Sequence, residues 1–270
     1  MAEELRLIHA NEQNNIDLTP VSKIEIYSFF DPFCEDCFNL SATLAKLKIE
    51  YQKYVKIRQI LNPSLKVLTK CQAQSTCEFD NVALAFKAAE LQGHNRASRF
   101  LNLIQNEIIP HEKIITTELI RKCAYKSGID LSVFIKDLKE QSLTDSLQTD
   151  LHIAREMDIN MTPSLVFFNE DVHSEGLKVE GLYPYHIYTY IIQELIGTEV
   201  EKQLPPKLLD YIQSQSIISE QEIATIYEWP EKIVKRELKK LQLQNYIEQQ
   251  DSVHGDFWKF KKRKVNNDKY

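Results

Sequence analysis

Glycine is scarce in this 270-residue chain, with six in all, and methionine (three) and tryptophan (two) are scarcer still. No glycine-rich loop that could cradle a phosphate can be drawn from them, and no serine or histidine constellation suggests hydrolysis. Long apolar runs are missing too, since none approaches the roughly 18 residues that a membrane span needs. The opening "MAEELRLIHANEQNN" has neither a basic region nor an apolar one, so no secretory leader is expected. The chain is therefore expected to be cytoplasmic, where thiols are kept reduced. Five cysteines, an odd number, then read as thiols rather than as a disulfide framework. A net charge of −6 gives no general reason to bind nucleic acid.

What is present is an ordinary globular composition, 43% hydrophobic and 27% charged, rich in helical pattern. "KIEIYSFFD", from Lys23, reads as a short buried strand. Leu40, Leu44, Leu47, Tyr51 and Tyr54 then recur at spacings of three and four, the apolar face of a helix. "YVKIRQILN" is strand-like again, which makes a βαβ unit with parallel strands. From about 65 to 158 the period is helical almost throughout, with "DLSVFIKDLKEQ" and "TDSLQTDLHIAREMD" each opening on an N-capping residue type, Asp130 and Thr144. "SLVFF" and "LKVEG" return to strand, close enough to be antiparallel, and "PYHIYTYIIQELIG" closes the unit as a helix.

Beyond Gly197 the polar, proline-bearing "TEVEKQLPPK" marks a linker. "PKLLDYIQSQ", "SEQEIATIYEW" and "PEKIVKRELKKLQLQ" read as three helices, with Ser219 an N-cap and Pro230 at a helix start. "NYIEQQDSVHGDFWKF" reads as a hairpin turning near His254 and Gly255. Three helices and a hairpin are the outline of a winged helix. The expected division is a flexible N-terminus (1–20), an α/β domain (21–198) with a helical insertion (about 65–158), a linker (199–206), a winged-helix-like domain (207–260) and a basic tail (261–270).

Chemistry concentrates in "FFDPFCEDCF". A CxxC directly after a strand and opening a helix is the thioredoxin-like arrangement. Cys34 would sit exposed at the helix N-terminus, where backbone N–H groups favour a thiolate, with Cys37 one turn inside as the resolving thiol. Far along the chain, "NMTPSLVFF" sets Thr162-Pro163 before a strand, where thioredoxin-like folds carry a cis-proline whose preceding peptide can pair with an extended partner. A partner would then lie between Cys34 and Thr162. The intervening Glu35 and Asp36 disfavour a neighbouring thiolate, so Cys34 is expected to be less acidic than the thiol of a strong oxidant.

No metal or cofactor is expected. Cys71 and Cys77 are separated by five intervening residues, wider than a closed ligand pair uses, and Cys123 lies in an apolar helical stripe as a small core residue. Lys232, Lys235, Arg236, Lys239 and Lys240 would give the third C-terminal helix the basic face that DNA binding requires. Residues 205 to 260, however, hold seven Lys/Arg against nine Asp/Glu, which favours protein docking over nucleic acid.

With these motifs in place the chain resembles the DsbA-like proteins, and within them the Spx-adaptor family (SpxH or YjbH) of low-GC Gram-positive bacteria. The segments that carry the likeness include "PVSKIEIYSFFDPF", "LNPSLKVLTKCQAQST", "DLHIAREM", "EGLKVEGLYPYHIYTYI" and "IYEWPEK". The resemblance implies an adaptor that binds Spx, a regulator of the thiol-stress response, and promotes its degradation by ClpXP in unstressed cells. It assigns Cys34 and Cys37 to the family's CxxC and Thr162-Pro163 to its proline loop. Some members have a His-rich N-terminus linked with metal, whereas here His9 stands nearly alone before the first strand. The competing expectation is a cytosolic dithiol oxidoreductase or redox sensor that uses Cys34 and Cys37.

Overall fold

The computed structural model describes residues 24–63, 78–109, 115–169, 175–198, 200–215, 217–250 and 257–261. Strand β1 (Ile24–Phe30) leads into helix α1 (Glu35–Glu50) and returns as β2 (Val55–Leu61). β1 and β2 run parallel, in register from Ile24 opposite Val55 to Phe30 opposite Leu61. β3 (Ser164–Phe168) and β4 (Leu177–Glu180) complete the sheet, each antiparallel to its neighbour, in the order β2-β1-β3-β4. The expected βαβ start and antiparallel final pair are both present.

The alternation of β1 gives the sheet two apolar faces. Ile24 and Ile26 pack with Leu40, Leu47 and Tyr51 of the α1 region and with Tyr188 and Ile192 of α7 (Tyr185–Ile196). Phe29 points the other way, against Ile60, Val166 and Ala154. Between β2 and β3 come α2 (Glu78–Leu91), α3 (His94–Ile108), α4 (Thr117–Lys126), α5 (Leu131–Asp137) and α6 (Gln141–Glu156). Their shared core holds Phe86, Phe100, Ile104 and Phe134, with Cys123 buried among them as expected. Asp130 caps α5 by accepting the N–H groups of Ser132 and Val133. Thr144 caps nothing: α6 starts a turn earlier, after Glu140, because Leu143 is already part of the buried stripe that continues through Leu147.

The C-terminal unit is α8 (Leu208–Ser214), β5 (Ile218–Ser219), α9 (Glu220–Tyr227), α10 (Glu231–Leu243), β6 (Ile247–Gln250) and β7 (Phe257–Phe260). Ser219 caps α9 by accepting the N–H of Glu222. β6 and β7 pair as the expected hairpin, and β5, too short to show a period in the sequence, adds a third strand in the order β5-β7-β6. This unit has its own core around Ile212, Ile223, Ile226, Val234, Leu238 and Trp258, yet it is not free of the first. Ala45 and Ile49 of α1 pack against that core, while Ile217 and Phe257 enter the large helical one.

Two ionic contacts fix the junction. Arg99 of α3, 9% exposed, donates to the Glu222 carboxylate (Nη2 to Oε1 2.8 Å) and to Gln215, and the Tyr211 hydroxyl donates to the same carboxylate at 2.6 Å. Burial is the largest single influence and would lower the Arg99 pKa, but the charge and hydrogen bonds of Glu222 and Tyr211 together outweigh it and raise the pKa. At the other end of α9, buried Lys46 of α1 pairs with Glu228 and stands 4.3 Å from the Tyr185 ring centroid. The stretch read as a linker is held as well: Val200 is buried in the sheet's core, and the Gln203 N–H donates to the Glu50 carbonyl at 2.8 Å. The expected hairpin turn at His254 and Gly255, the cysteines Cys71 and Cys77, His9, and the tail from Lys262 lie outside the described residues.

Candidate functional site

β1 runs out of sheet at Phe30, and a tight turn carries the chain into α1. Asp31, 1% exposed, organises that turn: its carboxylate accepts the Phe33 N–H at 2.8 Å and its carbonyl accepts the Cys34 N–H at 3.1 Å. Cys34 is thereby set as the N-cap of α1, with extended backbone, and its Sγ accepts the Cys37 N–H at 3.3 Å. A sulfur in this place satisfies one of the free N–H groups of a helix start and feels the positive end of the helix dipole. Cys34 is half-buried, Cys37 is buried, and both are free thiols.

Those contacts separate the two sulfurs chemically. The Cys34 pKa is lowered from 9.0 to about 7, chiefly by the hydrogen bond from the Cys37 side chain, aided by the Cys37 N–H and opposed by partial burial and by the charge of Asp31. Cys37 is pushed far up, first by burial and then by the hydrogen bond and charge it shares with Cys34. Cys34 is therefore the more acidic thiol of the pair, in the range of a thioredoxin and well above the roughly 3.5 of the strong oxidant DsbA. The acids between the cysteines are not the reason. Glu35 and Asp36 are turned out to solvent, and the carboxylate that opposes the thiolate is Asp31, three residues before Cys34 and folded beneath the turn.

The proline loop arrives from 128 residues away. The Thr162-Pro163 peptide is cis, and the Cys34 thiol lies 3.5 Å from the Thr162 carbonyl oxygen, to which it donates. The loop is anchored on both sides: Ser164 Oγ donates to the Met161 carbonyl at 2.7 Å, and the Gly181 N–H donates to the Pro163 carbonyl at 2.7 Å. Cys34, Cys37, Thr162 and Pro163 thus meet at one place, with Glu35 and Asp36 at its exposed edge.

The sequence reading missed an apolar rim. Met161 (49% exposed), Leu182 (41%) and Tyr183 (46%) flank the loop. Gly181 sits between two of them, since a Cβ built there would lie 4.0 Å from both Met161 Cε and Tyr183 Cε2. "NMTP" and "EGLYP" carried the signal, apolar residues in loops beside Thr-Pro and proline. An extended segment laid across Cys34 would have both this apolar rim and the exposed carboxylates of Glu35 and Asp36 within its surroundings. Among the described residues no group of three or more His, Cys, Asp or Glu side chains could hold a metal ion, and no helix is long and apolar enough to cross a membrane.

The basic face of α10 is largely answered by its own acids. Lys235 pairs with Glu231, and Arg236 and Lys240 pair with Glu237.

Known proteins extend this picture. A thioredoxin family model matches residues 27–190. The ClpXP adapter protein SpxH of Staphylococcus saprophyticus is 64% identical over 261 residues, which cover 97% of this chain and all of that protein. SpxH of Staphylococcus aureus is 63% identical over 267 residues, covering 99% and 100%. Among solved structures, alpha-DsbA1 of Wolbachia pipientis is similar with a TM-score of 0.52 at 17% identity, over 66% of this chain and 88% of that one. A putative protein disulfide isomerase of Nitrosomonas europaea gives 0.51 at 14%, over 65% and 97%. At such identities the structural likeness speaks for the fold of the first unit.

Proposed function

Because the chain belongs to the family of the ClpXP adapter protein SpxH, built on a thioredoxin domain, we propose that it is itself an adaptor, binding the stress regulator Spx and promoting its degradation by ClpXP under non-stress conditions. The observation that carries this reading is identity of 63–64% sustained over 97–99% of the chain, so that it includes the C-terminal unit and not the thioredoxin part alone. An adaptor works by differential affinity: it need only favour the conformation of its partner that the protease engages, with no chemistry of its own. The place of work is the cytoplasm, where ClpXP would meet it.

The docked C-terminal unit, which we read as winged-helix-like, supports a composite surface in this proposal. α9 is fixed to α1, the helix that begins at Cys34, so both units would meet a partner in one orientation. The partner-facing residues we assign are Cys34, Glu35, Asp36, Thr162 and Pro163, with the Met161 and Tyr183 rim beside them. Reconstituted degradation of Spx by ClpXP, with and without this protein, tests the reading; absence of acceleration refutes it.

One observation favours a second reading, that of a dithiol oxidoreductase or redox sensor: Cys34 has a thiol lowered to about 7 beside a buried resolving cysteine. Cys34→Ala should then abolish reduction of a model disulfide, and unchanged turnover rejects it.

A further inference from the structure

Behind the dithiol, under α1, lies a small crevice that the adaptor reading does not use. It is lined by Ser28 and Phe30 of β1, Cys37 and Ser41 of α1, Gln59 of β2, Gln105 of α3 and Pro163 of the cis-proline loop, among others. Its space for the centre of a water-sized sphere is about 10 Å³, at the lower end of the roughly 10–15 Å³ that one water requires.

One wall carries an unmet demand. Gln105 is 1% exposed, and its Nε2 is buried without a hydrogen-bond partner. Buried amide donors in native proteins are paired with protein or with ordered water. The polar groups that share the crevice are the hydroxyls of Ser28 and Ser41, the Gln59 amide and the Cys37 thiol, with no carboxylate among the lining side chains. Ser41 Oγ already donates to the Phe38 carbonyl, and Gln59 Oε1 accepts from Ser98. Both hydroxyl oxygens can still accept a hydrogen bond, because each has two lone pairs. A water needs two to four such partners.

We infer that this crevice is a binding site for one water molecule, anchored by the Gln105 amide and lying against the Cys37 sulfur, through which the Cys37 proton exchanges with solvent when its S–H turns away from Cys34. Cys37 is only 7% exposed, so its thiol reaches little bulk water, and burial holds it protonated. The water supplies a path, and Gln105 acts as a positioning residue, since an amide can orient the water but cannot take its proton.

Two measurements test this. A crystal structure of the wild-type chain at a resolution that orders internal waters should show one water within hydrogen-bond distance of Gln105 Nε2 and Cys37 Sγ; an empty crevice overturns the proposal. In a Cys34→Ala background, infrared H/D exchange of the Cys37 S–H should slow about tenfold in Gln105→Leu, the scale of losing one hydrogen-bonded partner. A general loosening of the core would speed that exchange instead, so an unchanged or faster rate in a folded variant also overturns it. Gln105→Asn, shorter but still an amide donor, should retain most of the wild-type rate. If Gln105→Leu does not fold, the wild-type density decides.

Discussion

Arg99 offers the sharpest test of how the two units are joined. In Arg99→Met the guanidinium is lost while the Glu222 carboxylate, 3% exposed, stays buried with the Tyr211 hydroxyl as its remaining side-chain donor. Removing one partner of a buried pair typically costs about 3–5 kcal/mol, because the other charge is left uncompensated. Arg99 also donates to Gln215, at 3.0 Å from Nε and from Nη2 as well, so the upper half of that range is expected. Glu222→Leu alone should cost a similar amount, stranding the guanidinium. The double variant Arg99→Met with Glu222→Leu leaves an apolar contact of similar volume and should recover to within about 1 kcal/mol of the parent. The assay is urea unfolding of all four proteins, with both midpoint and slope fitted. Calorimetry should show the single variants lowered by roughly 8–20 °C, at about 2–4 °C per kcal/mol for chains of 150–250 residues. If the singles lose less than about 1 kcal/mol, or if their effects simply add, the pair does not fix the junction and the reasoning fails.

Iodoacetamide labelling against pH, read by mass spectrometry, should give Cys34 a midpoint near 7 and leave Cys37 unlabelled through neutral pH; Cys37→Ala should move the Cys34 midpoint upward, since the largest lowering influence is gone. A depressed folded-state pKa stabilises above the unfolded value, so the contribution of Cys34 to stability should grow from pH 7 to 9 and vanish in Cys34→Ala. Above pH 9 the raised Cys37 acts the other way, because the unfolded chain ionises it first. Gly176→Ala would set a Cβ 2.6 Å from Phe168 Cε1 and 2.8 Å from Val166 Cγ1; a loss of about 1–3 kcal/mol is expected from such overpacking, and an unchanged melting temperature contradicts it. Met161→Asp with Tyr183→Asp should weaken Spx binding at least about tenfold in calorimetric titration, the effect of over 1.4 kcal/mol, and equal affinity removes the rim from the proposed surface.

Much of the first unit was legible because its signals are local. "KIEIYSFFD" is short, β-branched and aromatic and is followed at once by the 3.6-residue stripe of Leu40, Leu44 and Leu47, so β1 and α1 follow from local composition and spacing. The meeting of Cys34 with Thr162 was also readable, because cysteine beside a strand end and Thr-Pro before another are both punctuated by residue type. Electrostatics was less so. Glu35 and Asp36 are neighbours of Cys34 in the chain, but a helix start turns them outward, while Asp31 is brought in by the turn that its own carboxylate closes. Distance along the chain was a poor guide to distance in space. The junction shows the same in larger measure: Arg99 and Glu222 are 123 residues apart, and each reads singly as an ordinary surface charge on a helix. The rim of Met161 and Tyr183 escaped because loop residues carry no period, so exposure there is decided only by how β4 and α7 are set against the proline loop.

The docking of α9 along α1 bears on how this protein can be cut. A fragment ending near Gly197 would look complete by its sheet and its helices, yet it would uncover Ala45 and Ile49, lose Ile217 and Phe257 from the large core, and leave Arg99 facing water with no acid opposite. The reciprocal fragment would carry Glu222 and Glu228 with neither cation. What reads along the chain as a domain with an appendix shares buried side chains and two ion pairs across its boundary, and a cut at the prolines of 205 and 206 would sever those contacts.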